Sequence, residues 1–275
     1  MLKQQILSNT QLDKLLLKDG YVVVPFLNPS TIAQLKSFFS AHHPNGIDGF
    51  YATAHAQDIA FRNSMNDEIR RNFEEPISKY FQDCRPLGGS FVVKSKTNTN
   101  RLHPHQDWNI VDEAKFRSFN IWVPLVDLNQ SNGAIRVMPR SHKWVSSFRG
   151  PNIPDNFDNV REHIWNKMIP LHMKAGEALI YDHRLFHASD PNQTNELRIA
   201  AVFGIIPQSA EMLYYFGKED KIEVYESSVD FFMNGDIQKG NEQLTLKHIV
   251  TPISNRVTVP SLYKMHWFQY LNPFN

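Results

Sequence analysis

The chain has one cysteine, Cys84, in 275 residues, so no internal disulfide can form and the cysteine-rich zinc scaffolds are excluded. A reducing compartment, the cytoplasm, is the expected setting. No stretch approaches the ~20 consecutive apolar residues that span a bilayer. The opening Met1-Leu2-Lys3-Gln4-Gln5 runs straight into polar residues, so neither a signal peptide nor a membrane anchor is expected. An excess of one charge is lacking as well. Lys and Arg number 29 against 28 acidic residues, a formal net charge of +1, which supplies no general field for nucleic acid or an anionic membrane. A small-molecule partner is the expectation, and nothing in the composition speaks to oligomeric state. There is no internal repeat and no low-complexity tract. What is present is ordinary: 41% hydrophobic and 21% charged residues describe a chain that buries a sizeable core. Residues 1–275 fit one domain.

The pattern changes along the chain. Asn9 or Thr10 can cap a first helix in which Leu12, Leu15 and Leu16 share a face, and Gly20 suits its end. Tyr21–Val24 is β-branched and aromatic, and Asn28-Pro29 then offers a cap with proline at the first helical position. That second helix presents Ile32, Leu35, Phe38 and Phe39. From about Gly89 short runs rich in Val, Ile and Phe alternate with turn residues: Ser90–Val93, Phe119–Val126, Ile135–Met138, Ala178–Tyr181 and Leu197–Ile206. This spacing predicts an antiparallel sandwich or barrel. Between Ser141 and Pro170 lies a polar stretch without strand alternation, which predicts an inserted loop, either a functional lid or a passive surface segment. In the tail, Glu211–Phe216 and Ser227–Met233 look helical.

Two good iron ligands, His105 and Asp107, stand at i and i+2, which on a strand places them on one face. Such a triplet is weak evidence until a third donor joins it. His187, just after the run Ala178–Tyr181, is that donor, with His183 its nearest rival and His103 a rim group beside Pro104. Two histidines and one carboxylate on one face of an octahedron leave three positions open, for a bidentate 2-oxo acid and dioxygen. The far carboxylate of such an acid calls for a planar, permanently charged donor pair. Arg198 is the candidate, with Ala200 and Val202 as small neighbours on its face. A turn at Asp190-Pro191-Asn192 would bring it back as the strand next to His187, and Ser189 shares the parity of His187. Lys94 and Lys96 share a strand face and either point inward to an acid or, as strand lysines more often do, stay solvated. Arg136, Arg140, Arg149 and Arg161, around the insertion, hint at an anionic substrate.

These residues resemble the phytanoyl-CoA dioxygenase family. The likeness extends to Asn120-Ile121-Trp122-Val123-Pro124-Leu125, to the run from Asn132 to Lys143, to Gly176–Tyr181 and to Asn192–Arg198. With the opening helix and the strand after Asp19-Gly20, it spans roughly residues 10–207. The resemblance implies a mainly β chain: a double-stranded β-helix, or jelly roll, over about residues 89–207, with N-terminal, inserted and C-terminal helices. It implies that His105, Asp107 and His187 ligate Fe(II), that Arg198 and Ser189 bind 2-oxoglutarate, and that Trp122 lies beside it. The implied activity is a dioxygenase that consumes 2-oxoglutarate and dioxygen and hydroxylates an unactivated C–H bond. Halogenating relatives carry a small residue where Asp107 stands, which favours hydroxylation. The family's glycine in the turn before Ser141 is Arg140 here, so the turn need not adopt positive φ and can project a charge instead. Two alternatives differ in class. One is a non-catalytic jelly-roll binding protein, against which the intact ligand set speaks. The other is a cupin-like metalloenzyme that uses no 2-oxoglutarate, against which Arg198 speaks.

Overall fold

In the computed structural model the described residues are 4–43, 45–97, 101–144, 147–235, 237, 244–251 and 258. Positions 145 and 146 of the expected insertion, and most of the expected tail beyond residue 235, lie outside them. Helix α1 (Thr10–Asp19) begins where the Asn9 side chain accepts from the Gln11 and Leu12 amides. It ends at Gly20, φ 86°, where a Cβ would stand 2.4 Å from His142 Nδ1, so both the conformation and the space require glycine. Strand β1 (Tyr21–Pro25) leads to α2 (Pro29–His42), capped by Asn28. Strand β2 (Phe50–Ala52) then precedes α3 (Ile59–Tyr80), a helix not anticipated from the sequence. Its signal was there: Asp58 caps it, and Met65, Ile69 and Phe73 are buried at steps of four residues.

The expected strand runs are observed as β3 (Cys84–Lys94), β5 (Phe119–Pro124), β6 (Ile135–Val137), β8 (Glu177–Asp182) and β10 (Arg198–Pro207). With them come β4 (Leu102–His105), a short helix α4 (Arg161–Trp165), β7 (Ile169–Pro170) and β9 (His187–Ser189). They form two antiparallel sheets, a large one ordered β1-β8-β5-β10-β3-β2 and a small one ordered β4-β9-β6-β7. This is the two-sheet arrangement of a jelly roll.

Alternation along the large sheet's strands decides what each face covers. Ile121, Val123, Ile180, Ala201 and Phe203 belong to one cluster with Leu16, Leu35, Phe39 and Phe73 of the helices. Trp122, Leu179, Tyr181 and Ala200, at the opposite parity, pack instead with Ile135 and Val137 of the small sheet. The helices thus close one side of the large sheet, and the other side, facing the small sheet, is left for a site.

The tail differs from expectation in one place. Glu211–Phe216 is not helical: Leu213–Lys218 is strand β11, paired with β12 (Lys221–Glu226), which pairs in turn with β13 (Leu246–Val250). The run Leu213-Tyr214-Tyr215-Phe216 favours a pleated surface, and all three of Leu213, Tyr214 and Tyr215 are buried there. The helix expected at Ser227–Met233 is present as α5 (Val229–Asn234), capped by Ser228.

Candidate active site

His105 and His187 are cross-strand partners on β4 and β9, their rings 4.1 Å apart between centroids. Each Nδ1 lies against the backbone carbonyl two residues earlier, His103 O at 2.8 Å and Leu185 O at 3.1 Å. A carbonyl only accepts, so each Nδ1 carries a proton, and Nε2 is the ring atom each histidine can offer to a metal. Strand β4 stops at His105, so Asp107 is not placed by strand parity as the sequence suggested. Its own N–H donates to His183 O at 2.9 Å, and that bond turns the loop inward. Asp107 Oδ1 is 3.7 Å from His187 Nε2, and the donor atoms of the three side chains lie within 4.8 Å of one another. Burial and the neighbouring His187 press the His105 pKa down to about 4, so the imidazole is neutral at physiological pH. Burial alone would raise the Asp107 pKa, but His187, His183, His105 and the Asn120 amide hold it below the usual carboxylate value.

Two residues of this arrangement were not singled out from the sequence. Asn120 Nδ2 donates to Asp107 Oδ2 at 3.0 Å and approaches the Tyr181 hydroxyl at 3.4 Å. Tyr181 is buried, its hydroxyl 3.5 Å from His187 Nε2. Burial, and then the Asp107 charge, raise its pKa well above the ordinary value, so it stays a neutral donor. A polar Asn at inward parity within the apolar run of β5 was the available clue.

Arg198 occupies the first position of β10, 2% exposed, with its Cζ 5.4 Å from the centre of the Trp122 ring. Its Nε and Nη1 are buried without a hydrogen-bond partner, which is costly for a guanidinium unless an anion completes the site. Burial lowers its pKa to about 10, which still leaves it charged at neutral pH. The strand is not the neighbour of the one carrying His187. β10 pairs with β3 and β5 in the large sheet, whereas β9 is in the small one. The turn after Ser189 therefore carries the chain across the sandwich, and Arg198 shares a cavity with His187 instead of a ladder. Trp122, Ser189 and Arg198 line that cavity, of about 160 Å³, together with His105, Asp107 and His187. His103 is exposed at the rim. His183 is buried behind Asp107, neither ring nitrogen has a hydrogen-bond partner, and it is not among the clustered donors.

Four further expectations change. Lys94 is 1% exposed and lies directly across from Arg198, donating from Nζ to the carbonyls of Ser189 (3.3 Å) and Asp190 (2.8 Å); only Lys96 is solvated. Burial and the Arg198 charge lower the Lys94 pKa to about 7. Arg140 does adopt positive φ, 69°, because the turn demands it. Its N–H donates to Asp19 O and its Nε to Asp19 Oδ1, contacts that offset the left-handed conformation. The arginines around the insertion are all paired: Arg136 with Asp190, Arg140 with Asp19, Arg149 with Glu113 and Arg161 with Asp155. They give no support to an anionic substrate. The insertion itself carries buried Trp144, Phe157, Val160, Ile164 and Met168, packed on Phe186 and Ala188 beside His187.

The sequence profile of the phytanoyl-CoA dioxygenase family matches residues 16–200. A dioxygenase of Aspergillus terreus, trt7, is 31% identical over 128 residues, which are 44% of this chain and 41% of that protein; the match thus spans less than half the relative's length. Among solved structures, the non-heme alpha-ketoglutarate-dependent carbocyclase SnoK from nogalamycin biosynthesis superposes with a TM-score of 0.56 at 16% identity, over 74% of this chain and 86% of that one. The epimerase SnoN, solved with Fe3+, alpha-ketoglutarate and nogalamycin RO, gives 0.56 at 18% identity over 89% and 97%. Both share the fold.

Proposed function

The chain belongs to the phytanoyl-CoA dioxygenase family, and from that premise we propose that it is an Fe(II)- and 2-oxoglutarate-dependent dioxygenase that hydroxylates an unactivated C–H bond of a small molecule, releasing succinate and carbon dioxide. One observation carries the reading: a buried guanidinium with unpartnered nitrogens lines the same cavity as two imidazole Nε2 atoms and a carboxylate. The donor set fits iron(II) and leaves positions for a 2-oxo acid and dioxygen, and the orphaned Arg198 nitrogens fit the acid's far carboxylate. His105, Asp107 and His187 would hold the metal. Arg198 and Ser189 would hold the co-substrate against Trp122. When bound, iron with 2-oxoglutarate supplies the activation of dioxygen. The chain's part is to orient the two groups, keep the His105 imidazole neutral, turn both Nε2 atoms inward, and line the cavity with apolar Val92, Ile135 and Val202.

On this reading residues 1–275 form one domain of the cytoplasm, with 141–170 covering the site as a lid. No described helix is long and apolar enough to cross a membrane. Anaerobic titration with Fe(II) and 2-oxoglutarate is the test, because the bound pair gives a visible charge-transfer band. His105→Ala should lose iron binding while the fold remains. Arg198→Ala should keep iron and bind 2-oxoglutarate roughly ten- to a hundredfold more weakly, since a hydrogen bond to a charged group contributes about 1.5–3 kcal/mol. Undiminished 2-oxoglutarate affinity in Arg198→Ala would remove the co-substrate assignment.

A further inference from the structure

The polar groups of the cavity are accounted for by the proposed reading, on which this inference rests. Three side chains face the metal, Asn120 and Tyr181 hold Asp107, and Arg198, Ser189 and Trp122 face the co-substrate. Among the described residues, every other one lining the cavity is apolar: Phe50, Val92, Leu102, Ile135, Ala188 and Val202. Their depth matters. Ile135 and Ala188 are buried, whereas Phe50, Val92, Leu102 and Val202 keep exposed surface and so frame the opening. Phe50 is 40% exposed on the sheet's edge strand, an arrangement that leaves apolar area for something to cover.

Charge points the same way. Arg198 is the one Lys or Arg among the described residues lining the cavity, and the co-substrate takes it. Arg101, next to Leu102, pairs with Glu162 and lies over the Trp165 ring, and Lys96 donates to Asn195. Arg136 is held by both oxygens of Asp190. An acidic substrate would shed its hydration here with no cation to replace it. A hydrocarbon surface would gain by covering the four side chains of the opening.

We infer that the molecule oxidised is neutral and largely hydrocarbon, held at the cavity mouth by Phe50, Val92, Leu102 and Val202 and oriented by shape instead of ion pairing. The probes are camphor and camphor-10-sulfonate, which share a skeleton and differ in charge. Each is titrated calorimetrically into protein loaded with Fe(II) and 2-oxoglutarate under anaerobic conditions. Camphor should bind at least tenfold more tightly than the sulfonate. Phe50→Lys places a cation on the exposed edge and should narrow or invert that ratio, a gain of sulfonate binding that misfolding does not produce. Leu102→Asp should weaken camphor at least tenfold. Equal or tighter binding of the sulfonate by the parent protein, no binding of either probe, or an unchanged ratio in Phe50→Lys overturns the inference. The charge-transfer band, recorded before either probe is added, tests the underlying reading separately. A normal band without a preference for camphor sinks only the substrate class, and a camphor preference without a band sinks only the enzyme.

Discussion

Which oxygen of Asp107 can reach a metal is decided by a neighbour. Asn120 Nδ2 occupies Oδ2, and Oδ1 is the atom turned toward His187. Partners of this kind orient a ligand, and their loss typically lowers metal affinity about 10–100-fold. Asn120→Ala is therefore expected to retain the fold and lose iron affinity by about that factor, measured by competition with a chelator. Unchanged affinity would mean that Tyr181 alone orients the carboxylate. At this scale much of the site was legible. His105, Asp107, His187, Ser189, Trp122 and Arg198 all line one cavity. The residues that support them were not, since Asn120 and Tyr181 sit within strand runs where one inward side chain looks like core. The hint taken from Arg136, Arg140, Arg149 and Arg161 loses its support for a related reason: a cation's partner is set by tertiary structure, and each has an acid beside it.

Among the elements, β1, β3, β5, β6, β8 and β10 were readable from their β-rich runs and the first two helices from their caps, whereas β11 read as helical. The segment 141–170 was not, because its buried residues lie on or beside 3₁₀ turns and a helix of five residues, too short for a period to show. Its core nevertheless reaches the site. Phe157, 1% exposed, meets Phe186 edge-on at 4.8 Å, and Phe186 precedes His187. Trp165 lies under the guanidiniums of Arg101 at 4.7 Å and Arg136 at 4.8 Å, which ties α4 to β4 and β6. If insertion and barrel unfold together, Phe157→Ala costs about 3–5 kcal/mol in urea unfolding and also weakens iron binding. Destabilisation under about 1 kcal/mol, with iron affinity unchanged, would show that the insertion opens independently of the site.

For the molecule as a whole, the join between α1 and the barrel is where acid should act. The carbonyls of the last turn of α1 receive donors from the barrel. Arg117 Nη2 donates to Leu16 O, and His142 Nε2 lies 3.1 Å from Leu17 O. Gly20 leaves room for the His142 ring, whose Nδ1 has no partner. Burial presses the His142 pKa down to about 3; the carboxylate of Asp182 opposes this, and Arg117 and Arg184 add to it. The unfolded histidine takes up a proton near pH ~6.5. Between about 6.5 and 3 the unfolded chain thus binds the extra proton, so stability falls as pH falls across that window. The Asp182 carboxylate, held far below its ordinary value by Arg184 and Arg117 against the effect of burial, loses its contribution only at lower pH, below about 4. The two effects therefore separate. One histidine of this kind removes about 2 kcal/mol between about pH 7.5 and 5. His142→Gln keeps a donor for Leu17 O and has no proton to gain, so its urea-unfolding free energy should fall by about 2 kcal/mol less than that of the parent over the same interval. Other buried histidines contribute equally to both proteins and cancel in the difference. Parallel losses in parent and variant would mean that His142 is not what makes the closure of α1 onto the barrel sensitive to acid.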